Sequence, residues 1–326
     1  MSAILDVYGL KKHFPVAHGG LGFGRAKVRA VDDVTLSVQA GETLAIVGES
    51  GCGKSTLGRL MLRLERPTAG EVWLDGWRID NVAEPQLRQR RALIQAVFQD
   101  PMSSLNPRMT VREILAEPLT NFRVATGRTA IDARVAELLQ MVGLPADAMQ
   151  RYPHEFSGGQ RQRIGVARAL AARPKLIVCD EAVSALDVSI KAQVVNLLGD
   201  LKRELGLAQV FISHDMAIVE HISDRVAVMY LGVLVEVADR PTLFSSPAHP
   251  YTRALLAAAP ASEPSRRGRI VPLRGEPPNP ADLPSGCRFH TRCPHAFDLC
   301  RTEVPQLRQR APGQMAACHL DLAPAS

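Results

Sequence analysis

Residues Gly48-Glu49-Ser50-Gly51-Cys52-Gly53-Lys54-Ser55-Thr56 set two glycines around four residues and follow them with Lys-Ser. Glycines at that spacing let backbone N–H groups face an anion with no Cβ in the way. A helix beginning at the lysine adds its positive end. Lys54 can then reach the outer phosphates of a nucleotide, and the Ser55 hydroxyl can bind Mg²⁺. A second group, Asp180-Glu181, ends the apolar run Leu176-Ile-Val-Cys179. Ligands of α/β sheets bind at the carboxyl ends of strands, so Asp180 can hold Mg²⁺ through water and Glu181 can polarise an attacking water. A third group, Ser157-Gly158-Gly159-Gln160, joins a good helix N-cap to a glycine pair and reads as a second anion site. One terminal phosphate does not need two helix starts from one subunit, so this pair of sites points to a face-to-face dimer. An ordinary capped helix would leave the double glycine costly and unexplained. Cys52 and Cys179 read as small neutral or apolar fillers.

The elements that must position these groups alternate between strand and helix. Thr43–Val47, Ile94–Phe98, Leu176–Cys179 and Gln209–Ile212 are short apolar runs of the kind buried in parallel sheets. Helical patterns occupy Ser55–Leu64, Ile131–Val142, 164–170 and about Ser189–Leu205, and Arg225–Val237 reads as a β-ribbon turning at Gly232. The alternation predicts an α/β fold with both faces of the sheet covered.

Composition bounds the rest. The chain has 326 residues, 46% of them hydrophobic and 22% charged, enough for a sizeable core. Its net charge of +6 is compatible with nucleic acid, an anionic membrane surface, phosphates or simply a mildly basic exterior. No apolar run approaches the ~18–20 residues of a membrane span, and the first residues lack a secretory pattern, so a cytosolic location is expected. Fourteen of the 23 prolines lie from Pro241 onward, which opposes long helices and central strands there. From His249 the net charge is +4, so most of the excess sits in this tail. Cys287, Cys293, Cys300 and Cys318 crowd into the same stretch. In a cytosolic chain, such a cluster suggests metal or redox chemistry, with four thiolates able to hold zinc or a [4Fe–4S] cluster, or else free or disulfide-linked thiols.

These motifs, in this order, resemble the ATP-binding subunit of an ATP-binding cassette (ABC) transporter. The phosphate loop is followed by Gln99 in Val97-Phe-Gln-Asp-Pro101, then Ser157 to Gln160, Asp180-Glu181, Ser184-Ala-Leu-Asp187, and His214 in Ile212-Ser-His-Asp215. The resemblance implies a RecA-like core with an antiparallel β subdomain and a helical subdomain at about 100–156. Lys11-Lys-His-Phe-Pro-Val16, Val47 to Arg59, His249-Pro-Tyr-Thr-Arg253 and Gly275-Glu-Pro-Pro278 are similar to the dipeptide/oligopeptide importer subfamily. The Lys-Lys-His-Phe start and an insert at Ala17–Val28 resemble its second, F-type ATPase subunit. The implied division is a cassette at 1–260 and a small irregular extension at 261–326 carrying the four cysteines.

The family's roles carry over onto matching positions as expectations. ATP is implied as substrate and Mg²⁺ as cofactor. Lys54 and the loop from Gly48 to Thr56 would hold the phosphates, Ser55, Gln99 and Asp180 the Mg²⁺, and Phe14, with Tyr8 nearby, the adenine. Glu181 would act as general base and His214 would fix the γ-phosphate, while Ser157 to Gln160 and Asp187 would serve the ATP of a partner. The subfamily includes members with an iron–sulfur cluster in the extension, so a [4Fe–4S] cluster on the four cysteines is expected, with zinc as the alternative. Expected partners are a second ATPase subunit in a heterodimer, two membrane permease subunits and, indirectly, an extracytoplasmic solute-binding protein. The chain would then sit at the cytoplasmic face of the inner membrane and energise peptide import; nickel or glutathione importers are related machines. A DNA-repair or ribosome-associated ABC ATPase, or a P-loop kinase or motor, accounts for fewer of the motifs, so no nucleic-acid partner is expected.

Overall fold

The structure is a computed structural model that describes residues 3–15, 27–100, 104–258 and 275–320. In chain order its front half carries β1 (Ala3–Pro15), β2 (Lys27–Gln39), β3 (Thr43–Val47), α1 (Lys54–Met61), β4 (Ala69–Leu74), β5 (Trp77–Arg78), α2 (Glu84–Arg90) and β6 (Ile94–Phe98). Then come α3 (Val111–Asn121), α4 (Arg128–Met141), α5 (Gly158–Ala171), β7 (Leu176–Asp180), α6 (Val188–Leu205), β8 (Ala208–Ile212) and α7 (Met216–Ile222). The remainder holds β9 (Arg225–Tyr230), β10 (Val233–Asp239), α8 (Arg240–Ser245), α9 (Pro250–Ala258), α10 (Asp298–Thr302), β11 (Arg308–Ala311) and β12 (Gln314–Ala316). The chain forms two compact units, one of Met1–Leu5, Val38–Thr43 and Leu74–Ile212, the other of Asp6–Ser37, Leu44–Trp73 and Ser213–Ser326. The expected boundary at 260 and most of the Ala17–Val28 insert lie outside the described residues.

In the first unit β6, β7 and β8 pair in parallel, with Phe98 opposite Asp180 and Asp180 opposite Ile212. Every residue of β7 and β8 is buried, as continuous apolar runs require when both faces of a sheet are covered. The strands therefore end level with one another, at Phe98, Asp180 and Ile212. Helices α3, α4 and α5 pack together, and the chain enters two of them through capping boxes, Thr110 with Glu113 and Ser157 with Gln160. Helix α6 ends at Gly206, whose φ of 65° supplies the left-handed stop.

In the second unit β3 pairs parallel with β9, and β9 turns back into β10 through Leu231-Gly232. Strands β2, β1 and β4 lie side by side in that order. The core gathers Val47, Val228, Tyr230, Val235, Leu243 and Tyr251 with Cys287, Phe289 and Cys300. The extension is largely irregular, as expected, but not wholly so. Its β12 pairs antiparallel with β10, Glu236 opposite Ala316, and β11 pairs with β12, so the proline-rich tail lengthens the sheet and fills its core.

A buried carboxylate joins these pieces. Glu236 is fully buried on β10 and accepts from the N–H groups of Ala248 and His249, each at 2.8 Å, and from Gln314 Nε2 on β12 at 2.8 Å. His249 is itself buried, and its Nδ1 accepts the Tyr251 N–H at 3.0 Å. Burial, aided by the positive charges of Arg253 and Arg310, pulls the His249 pKa from 6.5 down to about 3. Removing the carboxylate leaves the buried Ala248 and His249 amides unpaired, at about 1–3 kcal/mol each, while Gln314 Nε2 keeps the Ser246 carbonyl. Glu236→Ala should lower the melting temperature of the full chain by about 5–10 °C; an unchanged midpoint would contradict this role. Below about pH 6.5 the unfolded chain protonates His249 and the folded chain does not, so His249 costs stability as pH falls toward 3. Denaturant titrations at about pH 7 and about pH 5 should show wild type losing on the order of 1 kcal/mol per pH unit more than His249→Gln. Equal losses would count against a neutral buried imidazole.

Candidate functional site

The phosphate-loop motif leaves the carboxyl end of β3. Gly48, Gly51 and Gly53 have φ of 151°, 77° and 106°, a region that side chains other than glycine rarely adopt. At two of them space also forbids a side chain. A Cβ on Gly48 would stand 2.2 Å from the Met229 carbonyl oxygen, and one on Gly53 2.0 Å from that of Ala30. The Cys52 sulfur occupies the room Gly48 leaves, 2.8 Å from where that Cβ would be, and the Cys52 carbonyl accepts the Gly232 N–H at 2.9 Å. Burial pushes the Cys52 thiol up against the opposing pull of Lys54, so it stays protonated and fills space.

Lys54 opens α1 and is 4% exposed; its ammonium lies within the curve of the loop, donating to the carbonyls of Gly48 at 2.8 Å and Glu49 at 2.9 Å. Ser55 and Thr56 are half-buried on the first turn of α1. Ser50 and Gly51 are exposed. The Glu49 N–H donates to the Tyr251 hydroxyl at 2.8 Å, so this amide is engaged away from any anion in the loop. The Glu49 carboxylate accepts two hydrogen bonds from Arg292, at 2.6 and 3.0 Å. Tyr251 belongs to the His249-Pro-Tyr-Thr-Arg253 motif, but nothing local ties it or Arg292 to Glu49, which lies 202 and 243 positions away. His214 lies at the same edge of β3, next to Ser213, whose N–H reaches the Ile46 carbonyl at 3.1 Å. Asp215 then caps α7 by accepting from the N–H groups of Ala217 and Ile218. Phe14, on β1, has the Lys12 ammonium 4.9 Å from its ring centroid. Tyr8 is half exposed on the same strand.

In the first unit the level strand ends bring Gln99, Asp180 and Glu181 to one edge of the sheet. Gln99 is exposed one residue past β6, and Asp180 is 9% exposed. Glu181 has φ of 49°, a strained conformation for a non-glycine residue. Its N–H donates to the Ile212 carbonyl at 3.0 Å, and its carbonyl accepts from both the N–H and the hydroxyl of Ser184 at 3.0 Å, which pins the turn. The Gln162 side chain ties α5 to this edge, donating to the Phe98 carbonyl at 3.2 Å.

Ser157 and Gln160 satisfy each other's backbone: Ser157 Oγ accepts the Gln160 N–H and Gln160 Oε1 accepts the Ser157 N–H. A Cβ on Gly159 would meet Ile190 Cγ2 of α6 at 2.3 Å. Helix packing therefore accounts for Gly159, correcting the expectation that an ordinary capped helix leaves the glycine pair unexplained; nothing crowds Gly158 as closely. Asp187 is exposed at the start of α6 and makes no side-chain cap bond.

The four extension cysteines are free thiols, Cys287 and Cys300 buried, Cys293 and Cys318 partly so. Burial first, and the neighbouring thiols after it, push Cys287 up to about 11, and burial raises Cys293 and Cys318 too. Among the described residues no group of three or more His, Cys, Asp or Glu side chains is placed to hold a metal ion. His290 and His319 bond backbone carbonyls instead, those of Cys287 and Glu303.

Comparison with known proteins identifies what this arrangement belongs to. A family model described as ABC transporter matches residues 31–184, and one described as oligopeptide/dipeptide transporter, C-terminal region, matches 235–300. A probable peptide ABC transporter ATP-binding protein of Sinorhizobium fredii is 54% identical over 318 residues, covering 98% of this chain and 90% of that one. The oligopeptide transport ATP-binding protein AppF of Bacillus subtilis is 51% identical, covering 97% of each. Among solved structures, a dimeric ATP-binding cassette in a post-hydrolysis state bound to ADP and Pi superposes with a TM-score of 0.64 at 28% identity, over 72% of this chain and 98% of that one. The cbiO1 subunit of a Clostridium perfringens ABC transporter gives 0.65 at 26% identity, over 76% and 92%. By full-length identity and by both matched regions, this chain belongs to the ATP-binding proteins of ABC transporters, of the oligopeptide/dipeptide type.

Proposed function

We propose that this chain hydrolyses ATP to energise peptide import through a membrane ABC transporter. The observation that carries the reading is the loop at the end of β3: glycines whose missing side chains let backbone close in, around the buried ammonium of Lys54 at a helix start. That is a cradle for phosphate, and the family assigns the phosphate to ATP. The relatives' names, which specify peptide and oligopeptide transport, support the substrate class. None of the described helices is long and apolar enough to cross a membrane, in keeping with permease subunits that supply the spanning helices.

In this reading Lys54 and the loop amides, apart from the engaged amide of Glu49, hold the phosphates. By the family's pattern Ser55, Gln99 and Asp180 would hold Mg²⁺, which would neutralise charge on the transferred phosphoryl group. Phe14 stacks on adenine. Glu181 takes a proton from the attacking water, and its pinned turn limits where that carboxylate can go. His214 orients the γ-phosphate. Ser157, Gly158, Gly159, Gln160 and Asp187 face the nucleotide of a second ATPase subunit, a different chain in our reading. Phosphoryl transfer depends on positioning and charge stabilisation, so completing each site from two subunits makes closure the switch that couples hydrolysis to transport. The complex then places the chain at the cytoplasmic face of the membrane.

A [4Fe–4S] cluster, or zinc, on Cys287, Cys293, Cys300 and Cys318 is supported by their crowding in sequence and by Cys287, Cys300 and Cys293 packing into one cluster. As placed, the four do not make a ligand set, so no step is assigned to such a group. Iron and broad visible absorption in anaerobically purified protein would establish the cluster; a metal-free preparation would remove it.

General-base catalysis contributes about 10²–10⁴-fold. In the assembled transporter, with the corresponding acid of the partner ATPase already neutralised, Glu181→Gln should keep ATP bound and cut phosphate release by about 100-fold or more. Undiminished turnover would remove Glu181 from the mechanism.

A further inference from the structure

We propose that Arg292, far from the phosphate loop in sequence, positions that loop and masks the negative charge it carries at Glu49; the inference rests on the loop binding ATP. Glu49 is an acid on the second residue of a loop whose purpose is to receive an anion, and left unpaired it would repel the incoming phosphates. The Arg292 guanidinium meets its carboxylate edge to edge through two hydrogen bonds of 2.6 and 3.0 Å. The arginine side chain is 4% exposed and the glutamate 25%, so water screens the pair little. The carboxylate hydrogen bonds keep the guanidinium firmly protonated.

The extension is built to hold Arg292 there. Its turn Cys287-Arg-Phe-His-Thr-Arg-Cys293 buries Phe289 against Tyr230 and Tyr251, with ring centroids 5.3 and 5.4 Å apart. Arg288, on the same turn, bonds the Leu231 carbonyl and the Asp32 carboxylate. Tyr251 in turn takes the Glu49 N–H. Beside the loop, a cavity of about 520 Å³ is walled by Glu49 to Cys52 on one side and by 276–280 of the extension on the other. The loop is thus held at Glu49 by main chain and side chain together, and both holds come from beyond residue 248. The two arginines lie between the first two cysteines of the tail, so part of its positive charge is spent within the fold.

A merely structural role and charge masking separate cleanly in kinetics. In the assembled transporter, Arg292→Ala should raise KM for ATP about tenfold, the scale of one unmasked charge near the phosphates, and change kcat by less than about threefold. Arg292→Lys, which keeps the charge, should restore most of the affinity. The decisive variant is the double Arg292→Ala, Glu49→Gln: with the carboxylate gone, KM should return most of the way to wild type. Should the alanine variant fail to fold, Arg292→Gln removes the charge while keeping a polar side chain, and the same rescue applies. An unchanged KM in the single variant overturns the proposal, and so does a raised KM that Glu49→Gln does not relieve. A wild-type chain that binds no ATP would instead overturn the nucleotide reading on which the proposal stands.

Discussion

A loop that turns its amides toward an anion has no room for side chains on its inner wall, and in this chain that wall is other main chain. The Met229 and Ala30 carbonyls stand where Cβ atoms of Gly48 and Gly53 would be. Strand β9 lies there because it pairs in parallel with β3, Val47 opposite Val228, one residue before the loop begins. The Gly232 turn closes the arrangement by bonding the Cys52 carbonyl. The glycines therefore answer to the sheet as much as to the ligand, and the buried lysine follows: enclosed by backbone, its ammonium is held by the loop's own carbonyls.

The same unit shows how a segment with little core of its own becomes ordered. The extension contributes Phe289, Cys287 and Cys300 to a core whose other walls are β9, β10 and Tyr251. Glu236 gives a second anchorage, a fully buried carboxylate whose three donors come from the 248–249 turn and from β12. Buried polar groups of this kind are costly unless every bond is made, and here the bonds join segments about 80 residues apart in sequence.

Strands β3, β7 and β8 were legible because both faces are covered and their apolar runs are unbroken. The loop was legible because glycine spacing is itself the chemistry, and the ribbon at Gly232 because a turn residue separates two apolar strands. Strand β11, Arg-Gln-Arg-Ala, and β12, Gln-Met-Ala, have no such pattern; they are strands because β10 offers an edge, which no local rule reports. Nothing in the sequence marks Glu236 as buried, since the donors that hold it lie elsewhere. Gly159 looked like a phosphate glycine, and its partner Ile190 became visible only with α5 against α6. The role expected of Glu181 came from its place at a strand end and that of His214 from the order of motifs; the structure adds the strained turn at Glu181, which nothing in the sequence signals.

Everything proposed for this chain depends on the loop binding nucleotide through Lys54, and equilibrium titration of the full chain with ATP tests that directly. A charge-assisted bond of this type contributes about 1.5–3 kcal/mol, so Lys54→Ala should weaken ATP binding by at least about tenfold in a chain that circular dichroism shows to be folded at the titration temperature. Equal ATP affinity in the two proteins would contradict the account.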